Sequence, residues 1–278
     1  MSAPVTVRRA LAQSGLVPVD AQALLGHALG RDRAWLAAHG EDAVDRARAD
    51  AFFALAKRRR EGEPIAYLTG IREFWGLPLV VSPAVLIPRP ETETLVELAL
   101  ARLPSDRPVQ VLDLGAGSGA IALAIAHERP RAHVLATDSS LEALAVAREN
   151  ARRLRLSNVV FARTDWFAGL PPEAAAAPFD LVASNPPYVA ANDPHLAEGD
   201  LRFEPRAALT PGGDGLGALR IIVAGAAERL APGGTLVVEH GYDQSDAVQA
   251  LFAAAGFADI VAARDLAGIP RVVAGRRH

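Results

Sequence analysis

The sequence predicts an α/β chain: a doubly wound, mostly parallel seven-stranded sheet, preceded by a small N-terminal helical bundle and a β-hairpin linker. Three observations predict it. From residue 91 onward, stretches of helical periodicity alternate with seven short apolar runs, as strand–helix–strand units require. Residues 1–73 instead carry apolar side chains at spacings of three and four, the pattern of packed helices. Between them, residues 74–90 change to a strand-like period punctuated by Gly76, Pro78, Ser82 and Pro83, which suggests a hairpin joining two domains.

In the helical part, Val7, Leu11, Leu24, Leu25, Leu29, Trp35, Leu36, Phe52, Phe53 and Leu55 form the core stripes, and none of them suggests chemistry. The first twenty residues read as the start of a helix and not as a signal peptide. In the α/β part the expected order is helix 91–103, strand 109–114, a Gly-rich turn and helix 120–128. Strand 133–137, helix 141–154, strand 158–162 and strand 179–183 follow. After a polar segment come helix 216–230, strand 234–239, helix 244–255 and the runs 260–263 and 271–274. The loop between the last two runs is too short for a parallel crossover, so they should pair antiparallel. The Ala-rich stretch 171–178 reads as a loop or short helix.

Bulk properties exclude several classes. The chain has 278 residues, half of them hydrophobic, a formal net charge of −3 and no cysteine. Disulfides, thiolate metal sites and cysteine nucleophiles are therefore ruled out. The acidic balance argues against a general nucleic-acid or membrane-surface binder. No apolar stretch is long enough to span a bilayer. The seven histidines are scattered, and no metal site is expected. A cytoplasmic monomer with no membrane or stable nucleic-acid partner is the expectation.

The most informative motif is Asn185-Pro186-Pro187-Tyr188, which follows the run 179–183. Ligands bind at the carboxyl edge of such sheets. The Asn185 side-chain oxygen and the Pro186 carbonyl can both accept from one planar NH2 group, and Tyr188 can cover its flat face. This suits an amino group conjugated to a carbonyl or an aromatic ring. The plainer reading is a Pro-Pro turn with Asn185 as turn former.

The turn after strand 109–114, Gly115-Ala116-Gly117-Ser118-Gly119, permits close approach of backbone to a ligand. With Ala120 it fits the dinucleotide fingerprint; with Gly119 it fits the turn of S-adenosylmethionine-dependent methyltransferases. Asp138 ends the next strand, where a carboxylate can accept both ribose hydroxyls. The turn and the acid together point to an adenosyl cofactor without choosing which. Three features favour S-adenosyl-L-methionine. Asp113 sits where such enzymes carry an acid near the methionine end. Asp165 and Trp166 follow the third strand, where they can meet adenine, although a helix cap and a core aromatic are the plainer readings. The tetrapeptide then lies beside the sulfonium.

The strings at 63–97, "DLGAGSGAIALA", "SNPPYV", 193–209 and "EHGYDQ" resemble the bacterial PrmC/HemK protein-(glutamine-N5) methyltransferases over most of the chain. The resemblance implies a methyltransferase sheet, S-adenosyl-L-methionine as cofactor, and a substrate: the side-chain amide of the Gln in the Gly-Gly-Gln motif of class I peptide-chain release factors. It places cofactor contacts on Gly115 to Gly119, Asp138, Trp166 and Asn185, and substrate-amide contacts on Asn185, Pro186, Pro187 and Tyr188. Arg89 and Glu91 of "IPRPET" are expected near the active site, and the helical part is expected to help hold the protein substrate. The basic cluster Lys57, Arg58, Arg59 and Arg60 is a solvated face on the simple reading and a docking surface on the other.

Other functions share parts of this pattern. A sister group methylates a Gln of a ribosomal protein with the same tetrapeptide. Adenine-N6 or cytosine-N4 methyltransferases pose the same geometric problem on a flipped base. A non-catalytic adenosyl-binding module and a nicotinamide dehydrogenase fit the glycine turn alone.

Overall fold

A computed structural model describes residues 5–278, apart from the side chains of Ala175 and Ala176. The first four residues of the expected N-terminal helical part lie outside the described residues. The chain divides into two compact units, one ending at Ile71 and the other comprising Arg72–His278.

Among the described residues the first unit contains five helices: α1 (Val7–Gln13), α2 (Pro18–Leu29), α3 (Arg33–Ala38), α4 (Arg46–Arg60) and α5 (Ile65–Thr69). Their boundaries follow local chemistry. Thr6, Asp32 and Asp45 cap α1, α3 and α4 by accepting from backbone N–H groups three residues on. Gly30 ends α2 in the left-handed conformation. Val7, Leu24, Leu25, Leu29, Leu36 and Phe52 form the core, with Leu11, Trp35, Phe53 and Leu55 packed at its edge. The basic cluster is largely engaged within this unit: Arg58 pairs with Glu63, Arg59 with Asp20, and Arg60 donates to the Ser14 carbonyl. That pattern favours the solvated, structural reading of the cluster.

The hairpin differs from expectation. Its strands are β1 (Ile71–Phe74) and β2 (Leu77–Val80), so the expected segment 74–90 starts three residues late. Trp75 and Gly76 both have positive φ, 54° and 69°, which is the turn that matches strand twist in a two-residue hairpin loop. A tryptophan in that conformation leaves no sequence signal. The rest of the expected segment is irregular, because Pro83 and Pro88 supply no N–H for a ladder. Val81, Val85 and Ile87 are buried all the same.

The second unit continues with α6 (Glu93–Arg102), β3 (Val109–Leu114), α7 (Ala120–Glu128), β4 (Ala132–Asp138), α8 (Leu141–Leu154), β5 (Val159–Arg163), α9 (Pro172–Ala176) and β6 (Phe179–Ser184). Then come α10 (Arg206–Leu209), α11 (Gly217–Arg229), β7 (Leu230–Glu239), α12 (Ser245–Ala254), β8 (Ala258–Arg264) and β9 (Pro270–Arg276). The seven-stranded sheet has the order β5-β4-β3-β6-β7-β9-β8. Its first four pairings are parallel. β9 inserts antiparallel between β7 and β8, so the expected final antiparallel pair is present. Buried on both faces, the central strands are nearly continuous in apolar residues. Val109 and Val111 of β3 face one core with Leu123 and Ile125; Leu112 and Leu114 face the other with Leu219 and Ile222.

One buried amide ties the hairpin to the sheet. Asn150 on α8 accepts from Val80 N at 2.6 Å and donates to the Val80 carbonyl at 3.0 Å and the Ser118 carbonyl at 2.9 Å. Removing it leaves backbone groups of β2 without partners. Asn150→Ala is therefore expected to cost about 3 kcal/mol and to lower the thermal midpoint by roughly 5–10 °C. A shift below about 2 °C in a thermal denaturation scan would show that the clamp contributes little.

Candidate functional site

Strand order reverses between β3 and β6: the chain leaves β3 toward β4 on one side, while β6 lies on the other. A crevice at the carboxyl ends of strands follows from that reversal. It holds a cavity of about 350 Å³, within the range of small-molecule sites. Of the candidate residues, Arg89, Gly115, Ala116, Gly117, Ser118, Asp138, Asp165, Trp166, Asn185 and Pro187 line it. Gly119, Glu91, Pro186 and Tyr188 do not.

The glycine turn forms the floor. Gly115 and Ala116 both donate to the Thr137 carbonyl at 2.9 Å. Gly117 has φ +55° and open space beside it, and Gly119 has φ +85° at the start of α7. A Cβ on Gly119 would stand 3.0 Å from Leu123 and 3.3 Å from Ala147, so conformation and packing both call for glycine there. Asp138 organises this floor. Its Oδ2 accepts from Gly117 N and its Oδ1 from Ser140 N, each at 2.9 Å. One carboxylate thus joins the turn after β3 to the start of α8.

Thr164, Asp165 and Trp166 follow β5. Trp166 is held at φ +51°, and its ring comes within 3.7 Å of a Cβ built on Gly115. Among the described residues the Thr164 hydroxyl oxygen is buried with no hydrogen-bond partner, and Thr164 lines the cavity. An unpartnered buried polar group is costly, so a ligand that bonds it gains accordingly. The residues therefore suit an adenosyl group: a flat aromatic wall, a carboxylate at the end of β4 and an unpartnered hydroxyl. Sequence reasoning missed Thr164, which lacks any motif of its own.

Asp113, expected near the methionine end of a cofactor, is not at the cavity wall. It is fully buried behind the turn and accepts from Ala122 N at 3.0 Å, in the first turn of α7. Burial pushes its carboxyl up to about 7, with the Asp138 charge adding to the rise. A carboxyl raised on folding stabilises the fold below its unfolded value near 3.8, and that contribution is lost as pH rises through about 7. Asp113→Asn should therefore flatten the fall in stability between pH 4 and 8, by on the order of 4 kcal/mol. Some slope should remain, because Glu239 is raised in the same direction, to about 7, by burial. Thermal midpoints across that range check this; parallel curves for the two proteins would contradict it.

The tetrapeptide sits after β6. Asn185 Nδ2 donates to Thr92 Oγ1 at 3.1 Å, which leaves Oδ1 turned the other way. Tyr188 is anchored on the side of the core. Its hydroxyl donates to Glu239 Oε1 at 3.1 Å, and its ring packs in the core cluster of Val182, Leu236 and Val238. It braces the segment from the core side and is not among the residues that line the cavity. The Tyr188 carbonyl accepts from Gln244 Nε2 at 3.0 Å, which fixes the chain just past the motif.

Arg89 reaches Glu204 at 2.6 Å. Glu204 is buried, with burial raising its pKa and the Arg89 charge opposing the rise. This pair ties residues 87–92 to the segment that contributes Pro205, Ala207 and Ala208 to the cavity wall. Arg89 is therefore a structural member of the wall. Glu91 lies in the 3₁₀ turn Pro90–Thr92; its neighbour Thr92, not Glu91, meets the tetrapeptide.

Comparison with known proteins gives a consistent result. The PrmC N-terminal domain family matches residues 6–70, and a methyltransferase domain family matches residues 105–261. The chain is 52% identical to the release factor glutamine methyltransferase of Xylella fastidiosa, covering 99% of this chain and 98% of the relative. It is 53% identical to that of Burkholderia pseudomallei, covering 98% and 96%. A methyltransferase crystal structure from Pyrococcus furiosus shares the fold, with a TM-score of 0.54 and 17% identity over 80% of this chain and 96% of that one.

Proposed function

The chain belongs to the release factor glutamine methyltransferase family, and from that premise we propose that it transfers a methyl group from S-adenosyl-L-methionine to the Gln side-chain nitrogen (N5) of the Gly-Gly-Gln loop of class I release factors. Membership makes it an S-adenosylmethionine-dependent protein-glutamine methyltransferase and sets aside the dehydrogenase and nucleic-acid readings. The observation that carries the finer reading is the hydrogen-bond sense of Asn185: with Nδ2 engaged by Thr92, Oδ1 is the atom left to accept from an incoming amide. The enzyme is proposed to act in the cytoplasm as a monomer; among the described residues no helix is long and apolar enough to cross a membrane.

The cofactor would be held by Gly115 to Ser118, with Gly119 shaping the turn behind them, and by Asp138, Thr164, Asp165 and Trp166, and its product would be S-adenosylhomocysteine. When bound, it supplies a methyl carbon activated by a sulfonium. The chain's own residues do the rest. A carboxamide nitrogen is a poor nucleophile because its lone pair is delocalised. Asn185 Oδ1 and the Pro186 carbonyl accept its two N–H groups and stabilise positive charge as it grows on nitrogen. They also aim that nitrogen, and such orientation supplies much of the rate. Pro187 shapes the rim of the cavity. The nitrogen sheds one proton after methylation, to water or to an adjacent carbonyl.

Incubation with methyl-labelled S-adenosylmethionine and three acceptors, a class I release factor, a ribosomal protein and duplex DNA, tests the reading. Label on the release-factor Gln is expected. Label on either of the others alone would overturn the choice of substrate.

A further inference from the structure

Resting on that reading, we propose that Gln244 is a positioning residue for the reaction: its side-chain amide bridges the turn after β7 to the Tyr188 carbonyl and so holds the Pro186 carbonyl where the substrate amide needs it.

The tetrapeptide is stiff and short of handles. Both prolines have fixed φ and no N–H, and Pro186, standing before a proline, is steered to extended ψ. Asn185 to Tyr188 therefore behaves as one short rod, aimed from its ends. At one end Ser184 Oγ donates to the Leu114 carbonyl at 2.7 Å, and Asn185 Nδ2 donates to Thr92 Oγ1 at 3.1 Å. At the other, the Tyr188 carbonyl accepts from Gln244 Nε2 at 3.0 Å, and Val189 N donates to the Leu209 carbonyl at 2.9 Å. The Tyr188 hydroxyl donates to Glu239. The end of β7 and the turn after it thus hold Tyr188 by its hydroxyl and by its carbonyl.

Position 244 calls for one acceptor and one donor, which an amide supplies. Its Oε1 accepts from Gly241 N at 2.8 Å, while its Nε2 donates to the Tyr188 carbonyl. A backbone N–H only donates and a carbonyl only accepts, so these two partners fix which way the amide points. The Gln244 backbone closes the same turn, its N donating to the Gly241 carbonyl at 3.0 Å. Gly215 leaves room for the bridge. It has φ +81°, and a Cβ there would overlap the Tyr188 carbonyl oxygen and come within 2.9 Å of Gln244 Nε2.

Helix capping does not explain the residue. Gln244 is the N-cap of α12, where Ser, Thr, Asp or Asn is favoured because a short side chain bonds the first turn. The Gln244 side chain makes no such bond and reaches the tetrapeptide instead. It is not among the residues that line the cavity. Gln244 therefore acts through the backbone, two residues from the Pro186 carbonyl. Its loss should misplace that acceptor and leave the cofactor floor intact. A small misplacement of a positioning group costs rate.

The test uses the full chain with a Gly-Gly-Gln peptide and S-adenosylmethionine, at about pH 9, where a Glu carboxyl is ionised. Gln244→Glu keeps the acceptor for Gly241 N and sets an oxygen against the Tyr188 carbonyl; Gln244→Ala removes both bonds. Expected kcat losses are about 30-fold for Gln244→Glu and about 10-fold for Gln244→Ala. S-adenosylhomocysteine affinity by calorimetry, and the peptide KM, should each stay within about threefold of wild type. If one variant fails to fold, the other carries the test; if neither folds, the bridge serves the fold alone and the proposal is overturned. Wild-type protein must first methylate the Gln. Failure there defeats the functional reading, and a crystal structure of Gln244→Glu then decides this inference: a Pro186 carbonyl displaced by about 0.5 Å or more supports it, and an unmoved one overturns it. With wild-type activity in hand, a kcat within about threefold of wild type in Gln244→Glu, or cofactor-product affinity that falls as far as kcat, would overturn the proposal.

Discussion

Asn185→Ala should lower kcat for Gln methylation by about 100-fold or more, while S-adenosylhomocysteine still binds within a few-fold of wild type. The two halves of this expectation have separate causes. The cofactor floor is built by the glycine turn and by Asp138, whose two oxygens engage Gly117 N and Ser140 N. None of these bonds involves Asn185. Its side chain contributes one thing that nothing else at this edge replaces: an oxygen acceptor whose sense is set by Thr92. Without it, one N–H of the substrate amide has only water to bond, and the nitrogen is no longer aimed. Steady-state kinetics at saturating substrate, paired with calorimetry, measures both quantities. A variant that turns over at near wild-type rate would show that the amide is held elsewhere.

Asp138→Ala should do the converse. Loss of the carboxylate releases the Gly117 and Ser140 amides together and removes an acceptor from the cavity wall. Each lost charge-assisted bond is worth about 1.5–3 kcal/mol, so the affinity for S-adenosylhomocysteine should fall roughly 30- to 100-fold. Asp138→Asn keeps one acceptor and should fall between. Activity at cofactor concentrations raised in proportion should recover in part, unlike that of Asn185→Ala. Affinity within threefold of wild type would mean that the ribose end is held by other groups.

Much of this architecture was legible in the sequence, and the reasons are local. Helices α7 and α8 occupy the expected residues, 120–128 and 141–154. Gly119 and Ser140 mark their starts, and Ser140 accepts from Ala143 N at 3.1 Å. The terminal antiparallel pair followed from loop length alone. The glycine turn, Asp138, Trp166 and Asn185 do share one cavity, because the reversal of strand order brings them together and the motif spacing encodes that order. What was not legible depends on long-range packing. Thr92 meets Asn185 across 93 positions, and Glu239 meets Tyr188 across 51; no local pattern relates either pair. Glu91 looked the more chemical neighbour, yet the first turn before α6 aims Thr92 inward. Tyr188 was expected against the guest because an aromatic ring beside an amide site suggests stacking. Its hydroxyl also has a buried carboxylate to satisfy, and its ring a core cluster to pack against, and no local pattern announces either. Asp113 followed the same logic: a helix start that needed an acceptor claimed it.

The central claim is that one planar amide is held between the Asn185 side chain and the Pro186 backbone. A structure of the chain with S-adenosylhomocysteine and a Gly-Gly-Gln peptide measures it directly. The peptide's Gln nitrogen should lie about 2.7–3.2 Å from both Asn185 Oδ1 and the Pro186 carbonyl oxygen. A Gln nitrogen beyond about 4 Å from both, with the peptide ordered and the cofactor product in the cavity, would contradict it.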